Sequence, residues 1–346
     1  MDILSGNVEG TIVNDRALAV LEKYDIEVLR SWKGRSAILC ETKTGIKILK
    51  EYKGGRERLL NQQKLLERIK ENGFSHVEEI IPTKEGELVV QDEDNISYYL
   101  KEYFGGKECN IRENQDSCRV AEQMAKLHKT MELPDFVAEK RIEPFSLPRE
   151  FAKHNRELRK VKKFLKVKRQ KNDFEYYLYG NFDFFLQKAE KILEEVNRHR
   201  EVFAEENLLD RGCFCHGDFQ HHNALIKDGE VYFINFEKYV LDDPMRDLSL
   251  FFRKIMEKNS WRQETGELVL ESYQKQKVLS REDRLQLYYR LSYPEKFWKI
   301  VNFYYGSPKV WIPEKNMEKL DKILKQEDEK TRFLERNFRQ EVLPKC

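Results

Sequence analysis

The run Cys215-His216-Gly217-Asp218-Phe219-Gln220-His221-His222-Asn223 holds the residue types best suited to chemistry. Its carboxylate, Asp218, and its amide, Asn223, lie five positions apart, so one short loop can present both to a single cleft. Phosphoryl transfer asks for such a pair: a carboxylate to orient or deprotonate the attacking hydroxyl, and an oxygen ligand to steady magnesium. Downstream, Ala224-Leu225-Ile226 and Val231-Tyr232-Phe233-Ile234 flank Asp228-Gly229, and Asp-Gly between two apolar runs predicts a hairpin. The hairpin returns Asn235-Phe236-Glu237 to the side of the loop, where a metal-binding acid is expected. The plainer alternative makes Asp218 and Asn223 caps for nearby backbone groups. His128 and His216 read as structural, hydrogen-bonded histidines. Cys213 and Cys215 alternate as a buried strand does, and with the neighbouring histidines they match no usual zinc spacing.

The elements that must position this loop follow from hydrophobic spacing. Asn14 to Tyr24 reads as an amphipathic helix. Three short strands, Ile26–Arg30, Ala37–Cys40 and Ile46–Lys50, are joined by the turns at Gly34 and Gly45 and predict an antiparallel meander. Gly54-Gly55 precedes a helix over Arg56 to Lys70, with Leu59, Gln62, Leu66 and Ile69 on one face. Strand signals recur at Ile80-Ile81, Leu88–Val90 and Ser97–Leu100, and the paired glycines at 105 and 106 predict a hinge spanning about 98–106. Helical spacing then dominates, over Cys118–Met131, the basic run Arg149–Lys171, Phe182–Phe203, Leu248–Met256, Leu268–Gln276 and Arg284–Leu291. The order predicts an α+β chain of two lobes: a small sheet-bearing lobe with one helix over 1–103, and a larger helical lobe over 104–346 carrying the loop. The basic run reads as a solvated helix face, with an acidic or phosphorylated partner as the other reading.

At 346 residues with a 40% hydrophobic share, the chain has material for such a bilobal core. A net charge of +2 predicts no bulk attraction to nucleic acid or membrane. The six cysteines, Cys40, Cys109, Cys118, Cys213, Cys215 and Cys346, are too scattered for a disulfide framework and suggest cytoplasmic synthesis. Asp2 stands where a signal peptide would carry a basic residue, and no apolar run has the length to span a bilayer.

His216-Gly217-Asp218, Asn223, the hairpin and Ile234-Asn235-Phe236-Glu237 together resemble the aminoglycoside phosphotransferase and choline kinase family. Asp243-Pro244-Met245-Arg246-Asp247-Leu248 and Leu127-His128 resemble two further segments of that family. Tyr293-Pro294-Glu295-Lys296-Phe297-Trp298 and Leu100 to Gly106 are similar to the spore coat kinase-like proteins of the CotS group. The resemblance implies a bilobal protein kinase-like fold using ATP and Mg²⁺ if active, and neither otherwise. It implies Asp218 as catalytic base, Asn223 as a metal ligand and Lys50 against the α- and β-phosphates. The hinge backbone at Glu102 and Tyr103 would hold adenine, and the turn with Gly34 and Ser36 would cover the phosphates. Read without the resemblance, Lys50 is a solvated strand-end lysine. Asn235 departs from the family's aspartate at the principal metal position, with Glu237 a partial substitute. Gln62 or Gln63 departs from the glutamate expected to pair with Lys50, leaving that lysine less firmly placed. These departures imply a spore coat-associated pseudokinase that works mainly through contacts with coat proteins. An active phosphotransferase acting on a small-molecule hydroxyl, a sugar or amino-alcohol, is the alternative.

Overall fold

The computed structural model describes residues 15–34, 37–306 and 313–342. Ser36, expected over the phosphates, lies outside the described residues, as do Asn14 and Cys346. The chain begins with α1 (Asp15–Ala19), which continues as a 3-10 turn, Val20–Lys23. The expected meander follows as β1 (Val28–Lys33), β2 (Ile38–Thr42) and β3 (Gly45–Glu51). After α2 (Arg56–Glu71) come β4 (Ile80–Ile81), β5 (Val90–Gln91) and β6 (Ser97–Glu102). All pair antiparallel in one sheet, in the order β1-β2-β3-β6-β4, with β5 also on β6.

Strand alternation decides which side chains face the cleft. In β3, Leu49 points into a small core with Cys40, Leu100, Val20 and Tyr24, closed by α1. Ile48 and Lys50 therefore share the opposite face. The register Ile48↔Lys101 and Lys50↔Tyr99 adds Lys101 and Tyr99 of β6 to that same face.

Beyond the paired glycines, β7 (Lys107–Glu108) leaves the first sheet and pairs instead with β9. The mainly helical part then holds α3 (Asn114–Thr130), α4 (Leu147–Val167), α5 (Asp173–Arg198) and α6 (Glu205–Arg211). Next come β8 (Phe214–Cys215), β9 (Ala224–Lys227), β10 (Glu230–Phe233) and β11 (Val240–Leu241). Five helices complete it: α7 (Met245–Lys258), α8 (Gln263–Gln274), α9 (Arg281–Ser292), α10 (Glu295–Gly306) and α11 (Pro313–Val342). This is the α+β, protein kinase-like arrangement expected: a small antiparallel sheet followed by a larger, mainly helical part.

Several boundaries moved for visible reasons. The helix expected over 182–203 begins nine residues earlier, because Asn172 and Glu175 form a capping box that satisfies its first N–H groups. The helix expected from Arg149 begins at Leu147, with Pro148 in its first turn, where a proline gives up no intrahelical bond. The main core is continuous from Leu59, Leu65, Leu66 and Ile69 of α2 into α3, β10 and α7. Burying each of those side chains is worth about 1.5–3 kcal/mol, which ties the helix of the sheet-bearing part firmly to the helical part. No helix among the described residues is long and apolar enough to cross a membrane.

Candidate nucleotide cleft and catalytic loop

The loop after β8 is held by backbone hydrogen bonds that converge on one carboxylate. Asp247, buried in the first turn of α7, accepts the N–H groups of His216 (2.6 Å) and Gly217 (2.9 Å). Burial works to raise its pKa, but these bonds and the neighbouring His128 and His216 hold it below the usual carboxylate range. His216 Nε2 lies 2.9 Å from Ile234 O and Nδ1 accepts from Asp218 N, so the ring carries its proton on Nε2 and ties loop to hairpin. His128, fully buried, meets Tyr273 Oη at 2.8 Å and stands 3.6 Å from Asp247. Both histidines brace the structure, as their sequence setting suggested. Gly217 has φ +79, and a Cβ there would come within 2.0 Å of Lys238 O, so only glycine fits.

The hairpin turn adopts positive φ at both Asp228 (51°) and Gly229 (86°), the geometry an Asp-Gly pair favours. It pairs Lys227 with Glu230 and brings Asn235 within hydrogen-bond reach of Asn223. Asn235 itself sits at φ 69°, a left-handed conformation asparagine tolerates better than most residues.

The orientation of the Asn235 amide follows from its neighbours. An ammonium can only donate, so the atom facing Lys101 Nζ at 2.8 Å must be the oxygen. Lys50 Nζ reaches the same oxygen at 3.3 Å. The amide nitrogen then donates to Asn223 Oδ1 at 2.8 Å, and Asn223 Nδ2 donates to Asp218 O. Lys101 is only 2% exposed, and its ion partner is the fully buried Glu78, 2.7 Å away. Glu78 also accepts the N–H groups of Asn235 and Phe236 and the amide of Gln62.

Lys50 is better anchored than its sequence setting suggested. Gln62 serves Glu78 and Gln63 serves Glu67, while Lys50 pairs with Glu237 at 2.5 Å. Glu237 also accepts from the Tyr99 hydroxyl. Burial tends to raise the Glu237 pKa, but Lys101 and Lys50 outweigh it and hold the carboxyl down at about 2. Asp218 is similarly held low against burial by Lys238, 2.8 Å away, and by Gln220.

Magnesium does not fit this corner as it is built. Each residue expected as a metal ligand, Asn223, Asn235 and Glu237, already accepts a protein donor on one side-chain oxygen. Two ammonium groups, moreover, stand where a dication would need carboxylates. Among the described residues no cluster of three acidic, histidine or cysteine ligands occurs.

Two adjoining hollows make up the cleft. One, of about 190 Å³, is lined by Gly34, Leu39, Ile48, Leu225 and Ile234 and by the hinge residues Glu102 to Phe104. The other, of about 680 Å³, is lined by Lys50, Asp218, Asn223, Asn235 and Glu237. The structure therefore places around these hollows Gly34, Lys50, Glu102, Tyr103, Asp218, Asn223, Asn235 and Glu237, the described residues to which the resemblance gave catalytic, nucleotide or metal roles. It adds Lys101 and Glu78, which were given none. Lys101 was legible in principle from its alternation with Leu100, whereas Glu78 sits on a loop and carries no local signal. The N–H groups of Glu102 and Tyr103 already donate, to Glu79 O and Ile46 O. The next N–H, that of Phe104, makes no such bond, while its ring stacks on Tyr232 at 5.2 Å.

The profile of the family described as "Spore coat putative kinase YutH" matches residues 18–337. Among curated proteins, none matches this chain. Solved structures share its fold. An aminoglycoside phosphotransferase from Alicyclobacillus acidocaldarius superposes with a TM-score of 0.80 at 19% identity, covering 98% of this chain and 99% of its own. A spectinomycin phosphotransferase solved with ADP and spectinomycin gives 0.59 at 15% identity, covering 92% and 95%. An amicoumacin kinase solved with AMP-PNP and Ca²⁺ gives 0.59 at 13%, covering 91% and 92%.

Proposed function

The chain belongs to that spore coat kinase family, and from this premise we propose a spore coat-associated, kinase-like protein that binds ATP but whose phosphotransfer is weakened or lost. In this reading the segments 1–103 and 104–346 act as two lobes closing on the nucleotide. The base lies against Leu39, Ile48, Leu225 and Ile234, with the hinge from Glu102 to Phe104 along its edge. Lys50 and Lys101 meet the phosphates, and the turn at Gly34 lies over them. Asp218 keeps the position of a catalytic base.

One observation carries the reading: the oxygen of Asn235 accepts from Lys101 Nζ at 2.8 Å, so an ammonium occupies one face of the position expected to bind metal. Losing a preorganised charge at a phosphoryl-transfer site costs on the order of 10²-fold or more in rate. A fixed ammonium can still neutralise part of a bound phosphate chain, so binding and turnover come apart. The expected pattern in thermal unfolding is that ATP raises the midpoint to the same extent with magnesium or with a chelator. Asn235→Asp would set two oxygens face to face where Asn235 Nδ2 now donates to Asn223 Oδ1, and it should make the ATP shift magnesium-dependent. A wild-type shift that already requires magnesium overturns the reading.

The alternative is an active phosphotransferase acting on the hydroxyl of a small molecule. Asp218 favours it, because this carboxylate borders both the cleft and a second cavity beyond it. Magnesium-stimulated ATP turnover that is abolished in Asp218→Ala would establish that alternative.

A further inference from the structure

The second cavity, about 360 Å³, opens on the side of Asp218 away from the hinge and is walled by Leu147, Phe151 and Trp298. We propose that it binds a small oxyanion-bearing molecule, held by Arg253 and Lys254 of α7. The inference does not depend on nucleotide being bound.

Arg253 is only 8% exposed, yet its guanidinium makes no hydrogen bond and no ion pair within 4 Å among the described residues. A buried arginine is ordinarily paired, because leaving five donors and a charge unmet is costly. The nearest acid along the helix, Glu257, hydrogen-bonds Lys296 at 2.7 Å, and against burial its carboxyl is held below the usual range by Arg253 and Lys296 together. Lys254, the next residue of α7 and also at the cavity wall, forms no ion pair or hydrogen bond among the described residues. Burial lowers its pKa, and although Glu257 opposes this, the charges of Lys296, Arg253 and Lys299 add to the lowering. Both side chains also border a neighbouring hollow of about 500 Å³, so the basic surface continues outward.

The other charges around the cavity are already matched. Arg246 and Arg290 share the single carboxylate of Asp242, with Arg246 also acting on Glu150, while Lys238 pairs with Asp218 and Lys299 with Glu295. Glu150 alone is left on the acidic side, and burial pushes its carboxyl above the usual range despite Arg246. Among the described residues, the groups left without a direct hydrogen-bond or ion-pair partner are thus two cations and one weakened acid, with Glu257 acting on both cations only at longer range. A cationic ligand would enter against Arg253 and Lys254, whereas a phosphate or carboxylate would supply the acceptors both lack.

The test is the thermal midpoint of the full chain titrated with inorganic phosphate, glucose 6-phosphate, citrate, glucose and choline. The phosphate or carboxylate probes should raise the midpoint, and glucose and choline should not. Lys254→Gln should weaken anion affinity about tenfold or more, the worth of one charge-assisted hydrogen bond. Arg253→Met, which keeps the apolar stem, should weaken it at least as much. If that variant does not fold, Lys254→Gln decides alone, since its side chain is only half-buried. Lys50→Met separates this cavity from the cleft: anion binding that survives Lys50→Met but fails in Lys254→Gln belongs to α7. No anion-dependent shift, a larger shift with choline, or loss in Lys50→Met with retention in Lys254→Gln would each overturn the proposal.

Discussion

The loop from His216 to Asn223 and the corner around Asn235 touch, yet they are organised by different forces. From His216 to Asn223 the chain is shaped by backbone N–H groups converging on Asp247 and by a glycine that nothing else can replace. Around Asn235 the backbone is ordinary apart from one left-handed residue, and a side-chain charge network does the organising: Glu78, Lys101, Lys50 and Glu237. The first arrangement depends on a fold shared with phosphotransferases. The second depends on side chains that can change one at a time while the backbone stays put. The charges beside the loop can thus change without any visible disturbance of the loop itself.

That contrast can be broken most forcefully at Lys101. Lys101→Met strands the Glu78 carboxylate in the interior and should cost about 3–5 kcal/mol in urea unfolding. Adding Glu78→Gln should restore much of it, because the unpaired charge is then gone. Full stability in the single variant would show that the network does not organise this corner. Next in size is Gly217→Ala, expected to cost about 3 kcal/mol or more by forcing a Cβ onto Lys238 O. A crystal structure of that variant with the loop unmoved would refute the steric account.

Acid should act on the charge network before the loop. The Glu237 pKa is depressed in the folded state, so its contribution is full above about 4.5 and drains away as pH falls toward about 2. Stability should therefore drop on the order of 2 kcal/mol across that window, and Glu237→Gln should flatten this part of the profile. An unchanged slope in the variant would assign the acid sensitivity elsewhere. The smallest effect belongs to Lys238, whose side chain is 70% exposed. Lys238→Ala should change stability by less than about 1 kcal/mol while letting the Asp218 carboxyl titrate at higher pH, which NMR titration would follow. An Asp218 titration that does not move would mean the pair seen here is not maintained in solution.

Much of this was legible in local pattern. Alternation and turn residues specify the meander, the hairpin at Asp228-Gly229 and the face of β3 that carries Lys50, because strand pairing and positive-φ turns are short-range effects. The five-residue separation of Asp218 and Asn223 likewise puts both on one loop wherever that loop lies. The partner of Lys50 was not legible: counting along α2 led to Gln62 and Gln63, whereas the ion pair is made by Glu237, 187 positions away in the chain. Nor could sequence reveal that Lys101 and Glu78 meet beneath Asn235, or that buried Arg253 has no hydrogen bond or ion pair among the described residues. Charges interact through space with whatever the fold brings near, and no spacing rule records that distance. Tertiary structure alone decided which acid each lysine meets, and with it whether the corner beside the catalytic loop has room for a metal.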